Sequence, residues 1–264
     1  MASEHDTDTA PGAAELTAEP TTFAPLDWTG QPIVCANCAH AELHARGGCA
    51  LQHACVHDRY AKRIDRFFYW NKALANDYLT HPYFEVRAIA AKHADIFQLP
   101  KVLADPDETV RWSAAQRLPQ RFLRQMIDDP DREVRIRVAG RLESDDLKKM
   151  IGDDDYYVRN IVARRLPPSL LRLMLHDPDR EVRAVVARRI AEESLPLLAG
   201  DDEATVRLIV AERLPPAQLN LLRDDEDWRV RHQVALRIDP AQLGPLLADE
   251  DEAVREAAQA RANA

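Results

Sequence analysis

The dipeptide Val-Arg recurs at residues 86–87, 110–111, 134–135, 158–159, 182–183, 206–207, 230–231 and 254–255, each copy 24 residues from the next without an insertion. Unrelated loops and helices would not hold one register through eight copies. A fixed period of 20–50 residues marks a solenoid, in which no unit buries a core alone and stacking supplies it. Seven full units run over 81–248, and an eighth, 249–264, is cut short.

A typical unit, "DPDREVRAVVARRIAEESLPLLAG" from Asp177 to Gly200, can be numbered by position from 1 to 24. Apolar residues at positions 6, 10, 11 and 14 follow helical spacing. Asp at position 1 or 3 supplies an N-cap, Pro at position 2 fits the first turn, and Pro at 15 or 16 ends the helix. Positions 16–23 then make a second, short element with apolar residues at 19 and 22, brief enough for a 3₁₀ turn. No unit shows the alternation of a strand. The expected fold is therefore all-α, a solenoid of paired α and 3₁₀ helices. Met126, Met150 and Met174 share position 22 with Leu198, Leu222 and Leu246, which reads as a core column rather than a thioether metal path.

The arginine column needs a geometric check. At about 100° per residue, with the position-6 valine at 0°, positions 10 and 14 fall near 40° and 80° and the position-7 arginine near 100°, inside the apolar arc. A guanidinium there needs carboxylate or carbonyl partners. The regular carboxylates are Asp at positions 1 and 3, so Arg87, Arg111, Arg135, Arg159, Arg183, Arg207, Arg231 and Arg255 are expected to form a structural ladder with them. The functional alternative, a groove gripping phosphates, conflicts with the balance of 29 basic and 34 acidic side chains over 81–264. Trp112, Tyr156, Tyr157 and Trp228 lie off the apolar arc and are candidate partner-binding anchors. Gln259, where Ala is the rule, and Ala262, where Leu or Ile is common, suit a capping unit with one wet face.

Ahead of the repeats lie two different stretches. Residues 1–34 hold six carboxylates and no Lys or Arg, and read as an acidic disordered tail. Residues 35–80 contain all four cysteines and the aromatic run Phe67–Trp70, and read as a metal-binding module that caps the first repeat. The N-terminus has no secretory pattern and no apolar run is long enough to span a bilayer, which points to the cytoplasm. Thiols there stay reduced, so clustered cysteines indicate a metal or catalysis rather than disulfides. A net charge of −9 argues against nucleic acid as partner.

The cysteine spacing is Cys35-x2-Cys38-x10-Cys49-x5-Cys55. Four thiolates suit structural zinc, which takes four in a tetrahedron, or a [4Fe–4S] cluster, which takes one per iron. The second pair is not a CxxC knuckle and the ferredoxin run is absent, so spacing leaves both open. His40, His44, His53 and His57 lie nearby as substitute ligands or as ordinary hydrogen-bonding side chains, and Arg46, Arg59, Lys62 and Arg63 would offset an anionic centre of either kind.

A four-cysteine module followed by uninterrupted units of the form "DPDxxVRxxVAxRLPxxxLxxL" resembles the leucine-rich repeat variant family, over residues from about 30 to the C-terminus. The resemblance implies a right-handed superhelix of alternating α and 3₁₀ helices. It implies a [4Fe–4S] cluster on Cys35, Cys38, Cys49 and Cys55, and a setting in nitrogen-fixing bacteria. It brings no biochemical activity. The sequence shows no G-x-S-x-G, no phosphate loop and no paired nucleophile and base. The expected function is thus a non-enzymatic scaffold for a protein partner, with a structural, redox-sensing or electron-relay cluster. The alternatives are a zinc-binding HEAT-like scaffold or a nucleic-acid-binding solenoid.

Overall fold

The computed structural model describes residues 25–263. Most of the acidic stretch 1–34 lies outside the described residues. From Pro25 onward, however, the chain is folded onto the cysteine module: the Arg59 amide donates to the Leu26 carbonyl and Asp27 bridges to Asp58. The boundary of the module therefore sits near residue 25 rather than 35. Among the described residues there are helices, turns and three isolated β-bridges, but no strand. The chain divides into two compact units, one ending at Arg141 and one beginning at Leu142, within the third repeat.

The N-terminal unit holds α1 (Ala41–Ala45), α2 (Ala61–Trp70), α3 (Phe84–His93) and the helices Glu108–Ala115 and Arg132–Ala139 of the next two repeats. The C-terminal unit holds the repeat helices Tyr156–Arg165, Arg180–Arg189, Ala204–Arg213, Trp228–Ala235 and Glu252–Ala262. Each is followed, except the last, by one turn or two of largely 3₁₀ helix, as in Pro168–Met174 and Glu192–Leu198. Within each unit successive repeat helices pack side by side. Positions 6, 10, 11, 14, 19 and 22 are the buried columns: Val182, Val186, Ala187, Ile190, Leu195 and Leu198 are at most 2% exposed. The methionines of position 22 are core as well, with Met126 at 3% and Met150 and Met174 at 2% exposure. In the last repeat Gln259 and Ala262 face solvent.

Position 3, not position 1, caps the repeat helix. Asp131, Asp155, Asp179 and Asp251 each accept two amide N–H groups of the first turn, and Asp107 and Asp227 accept one. The position-2 proline consequently stands one residue before the cap rather than in the first turn, where the sequence pattern had placed it. Position 1 has another task. The Nε and Nη2 of Arg87, Arg111, Arg159, Arg183, Arg207 and Arg231 donate side by side to both oxygens of Asp105, Asp129, Asp177, Asp201, Asp225 and Asp249, at 2.7–3.0 Å. Each pair joins position 7 of one repeat to position 1 of the next. The remaining Nη1 donates back to the position-1 carbonyl of its own repeat at 2.6–2.9 Å, in Arg135 and Arg255 too. The planar fork of arginine fits such two-sided bonding, and lysine could not replace it. With the forks of Arg87, Arg111, Arg159, Arg183, Arg207 and Arg231 filled by carboxylates, these six guanidinium groups are not open to phosphate.

A second arginine column reaches the other way. At position 13, Arg117, Arg141 and Arg213 donate to carbonyls at the end of the preceding repeat helix: Ala91 and Ala94, Ala115 and Leu118, and Ala187 and Ile190. Those are carbonyls a helix leaves without internal partners, at its negative end. The repeats are thus riveted forward by position 7 and backward by position 13.

Candidate metal centre

The cysteine module is assembled from tight turns. Asp27 Oδ1 accepts the Thr29 and Gln31 amides, and the chain reverses at Gly30 with φ +84°, a conformation that glycine adopts freely. A 3₁₀ turn at Cys35–Asn37 follows, closed by the Cys38 amide donating to the Cys35 carbonyl at 3.2 Å. The His40 amide donates to Cys38 Sγ at 3.3 Å. α1 ends at a glycine pair, where a Cβ on Gly48 would stand 2.4 Å from Leu43 Cδ1. The chain turns there, with Gly47 at φ +73° and the Gly48 amide donating to the Leu43 carbonyl at 2.9 Å. Cys55 is held by its amide, which donates to the Arg63 carbonyl of α2 at 3.1 Å. The fully buried Asp58 fixes the same corner, accepting the Tyr60 amide and the Arg63 guanidinium, the latter at 2.8 Å.

These turns bring all four sulfurs within electrostatic reach. Burial, then the charges of Cys38 and Cys35, push the Cys49 thiol up to about 11. Cys55 is also pushed up to about 11, by burial first, with Cys38 adding to the rise. Cys35 is raised by burial and by Cys38. A protein alone would keep these thiols neutral near pH 7, and a Lewis-acidic centre would be needed to hold them as thiolates. No disulfide joins them. Soft sulfur donors of this kind fit an iron–sulfur cluster or zinc. Among the described residues, no group of three His, Cys, Asp or Glu side chains is gathered as a single metal ion needs.

The surroundings are aromatic. The His40 ring lies 5.2 Å from Phe67 and its Nε2 shares a short hydrogen bond with the Tyr78 hydroxyl. Burial first, then the charges of Cys38 and Cys55, pushes Tyr78 up to about 12, and burial holds His40 and His57 below the usual histidine range. His44 bonds the Cys49 carbonyl and His53 meets Arg66, so these rings act in hydrogen bonding. Arg59 and Arg63 lie over the Tyr60 ring, at 5.4 and 4.8 Å. Phe68 joins the module to the first repeat through Tyr78 and His93, and Trp28 stacks on Tyr83 at 5.7 Å.

The other candidates lie elsewhere. Trp112 is half-buried with the Arg137 guanidinium 4.6 Å from its ring, so it packs against the next repeat. Tyr156, Tyr157 and Trp228 are 47%, 44% and 47% exposed. Sequence reasoning missed Tyr78, Trp28 and Asp58, which no periodicity marks. It also passed over Leu173, Leu197 and Leu221, more than half exposed at position 21 of successive repeats. Their 24-residue spacing could have revealed them.

Fold and site together define an α/3₁₀ repeat protein fronted by a thiol-bearing module. Two family models match: that described as the LRV protein FeS4 cluster over residues 25–77, which span all four cysteines, and the leucine rich repeat variant over 156–179. A solved structure titled as a leucine-rich repeat variant with a novel repetitive protein structural motif is 41% identical, covers 87% of this chain and 98% of its own, and superposes with a TM-score of 0.80. The chain belongs to the leucine-rich repeat variant family, and its cysteine module is of that family's iron–sulfur type. An uncharacterized 27.7 kDa protein in the nifB 3' region of Rhodobacter capsulatus is 53% identical over 95 residues. That match spans 36% of this chain and 39% of the relative, so the chain covers well under two thirds of its length.

Proposed function

We propose that Cys35, Cys38, Cys49 and Cys55 hold a [4Fe–4S] cluster, one thiolate per iron, and that the repeats form a non-enzymatic scaffold for a protein partner. The observation that carries the cluster reading is the gathering of four cysteines in the segment that the iron–sulfur family model matches, with Cys35, Cys49 and Cys55 each close enough to feel the charge of Cys38. Once bound, the cluster supplies one-electron chemistry. The chain's own part is to hold the sulfurs, shield them with Phe67, Tyr78 and the histidines, and donate the His40 amide to Cys38. The scaffold reading is supported by Tyr156, Tyr157 and Trp228, rigid aromatic groups left exposed on a framework whose polar columns are already paired. The nifB-region relative favours a nitrogen-fixation setting.

The test is purification without oxygen, followed by the visible spectrum and assays of iron, sulfide and zinc. A brown protein with about four irons and four sulfides per chain is the expected result. A colourless protein with one zinc would overturn the cluster assignment. For the scaffold, Tyr156→Ala with Trp228→Ala should lose a partner that the unaltered chain retains in an anaerobic pull-down. Undiminished capture would count against that surface.

A further inference from the structure

The indole Nε1–H of Trp70 is buried and has no hydrogen-bond partner within the protein. A buried donor left unpaired forfeits its hydration without compensation, and native structures seldom tolerate one. The stripe of α2 on which Trp70 lies indicates where the missing acceptor is. The Arg63 carbonyl accepts the Cys55 amide at 3.1 Å. One turn on, the Phe67 ring lies 5.2 Å from His40, whose amide bonds Cys38 Sγ. A further turn on, Asn71 Nδ2 donates to the carbonyl of Gly48, beside Cys49, at 2.8 Å. The Trp70 ring sits 5.5 Å from that of His53, between Cys49 and Cys55. Residues 63, 67, 70 and 71 share one helical face, and each of the four makes a contact with the segment that carries the cysteines, although Phe67 also packs on Phe68 and Tyr78.

We infer that the Trp70 indole N–H donates a hydrogen bond to sulfur of the iron–sulfur centre and so sets its reduction potential. The inference rests on the cluster reading above. Neutral thiols are poor acceptors, whereas cluster sulfide and bound thiolate are good ones, so the donor gains its partner when the centre is in place. Hydrogen bonds to cluster sulfurs draw off electron density and favour the reduced form. Trp70 is a positioning residue in this sense, since it sets the electronics of the centre without ligating it.

The full-length chain is purified without oxygen and its iron and sulfide are measured first. Stoichiometric zinc in place of iron brings down the cluster reading, and this inference with it. With iron present, Trp70→Phe is compared with Trp112→Phe, a control in a repeat. A third variant carries benzothienylalanine at position 70, which keeps the fused-ring shape and replaces N–H by sulfur. Both position-70 variants should show a midpoint potential below that of the unaltered protein, and the control should not. In the unaltered protein labelled with nitrogen-15 at indole, Trp70 should give a hyperfine-shifted signal, sensitive to deuterium exchange, that both variants lack. Unchanged potentials, or no shifted indole signal, overturn the inference. Should both variants fail to take up iron, the indole signal of the unaltered protein decides alone.

Discussion

From Cys35 to His53 no residue is fully buried, and burial begins only at Ala54 and Cys55. In the repeat from Asp177 to Gly200, by contrast, the six columns at positions 6, 10, 11, 14, 19 and 22 are sealed from solvent, although the repeat is of similar length. The repeat borrows its core from its neighbours, because its apolar residues meet a closely matching set one step away. The cysteine loops have no such set to meet. They depend on backbone turns, on the Asp58–Arg63 pair and on α2, and a segment so poor in core needs a covalent or metal staple. Repetition lets a short sequence fold by stacking, while a unique short segment must be held by chemistry.

The largest effect should come from removing the staple. Cys55→Ser is expected to abolish iron binding, read by iron and sulfide assay, while the far-UV circular dichroism of the repeats persists. Global loss of helix would mean that the two regions are not separable as described.

Next comes the ladder that binds repeat to repeat. Asp177→Ala strands the Arg159 guanidinium, which is paired in a site where both side chains are at most 10% exposed, and should cost about 3–5 kcal/mol in urea unfolding. Replacing both residues by apolar ones, Arg159→Met with Asp177→Leu, should recover most of that loss. Failure to recover it would show that the bonds these residues make outside the ion pair, from Arg159 Nη1 to the Asp153 carbonyl and from the Asp179 amide to Asp177 Oδ1, matter more than the pair itself.

Arg213→Leu uncovers the Ala187 and Ile190 carbonyls and is expected to cost roughly 1.5–3 kcal/mol. Removing one helix cap, Asp179→Ala, should cost about 1 kcal/mol, checked by thermal unfolding. The smallest effect is one of pH. The Arg229 hydrogen bond holds the Asp227 carboxyl down at about 2, against 3.8 in the unfolded chain. A depressed carboxylate gives stability that is complete above pH 3.8 and is lost as pH falls toward 2. The pair is open to solvent, so Arg229→Ala should flatten the acid limb of the stability curve only slightly.

Much of this molecule could be read from the chain alone. The eightfold Val-Arg register fixed the unit length, and the helical spacing of positions 6, 10, 11 and 14 picked out the buried columns. The same geometry placed the position-7 arginine inside the apolar arc and so demanded carboxylate or carbonyl partners for it. Four cysteines in a module free of other repeats announced an inorganic centre. Periodicity reaches this far because burial within one helix depends only on its angular spacing. It cannot state how one repeat is rotated against the next, and that rotation gave the ladder to Asp at position 1 of the following repeat and left position 3 as cap. It also turned the position-13 arginines back onto the preceding helix. In the cysteine module no repeat exists to constrain the reading. Folding in three dimensions alone put Tyr78 against His40, drew residues 25–34 onto the module, and left the Trp70 N–H buried without a protein acceptor.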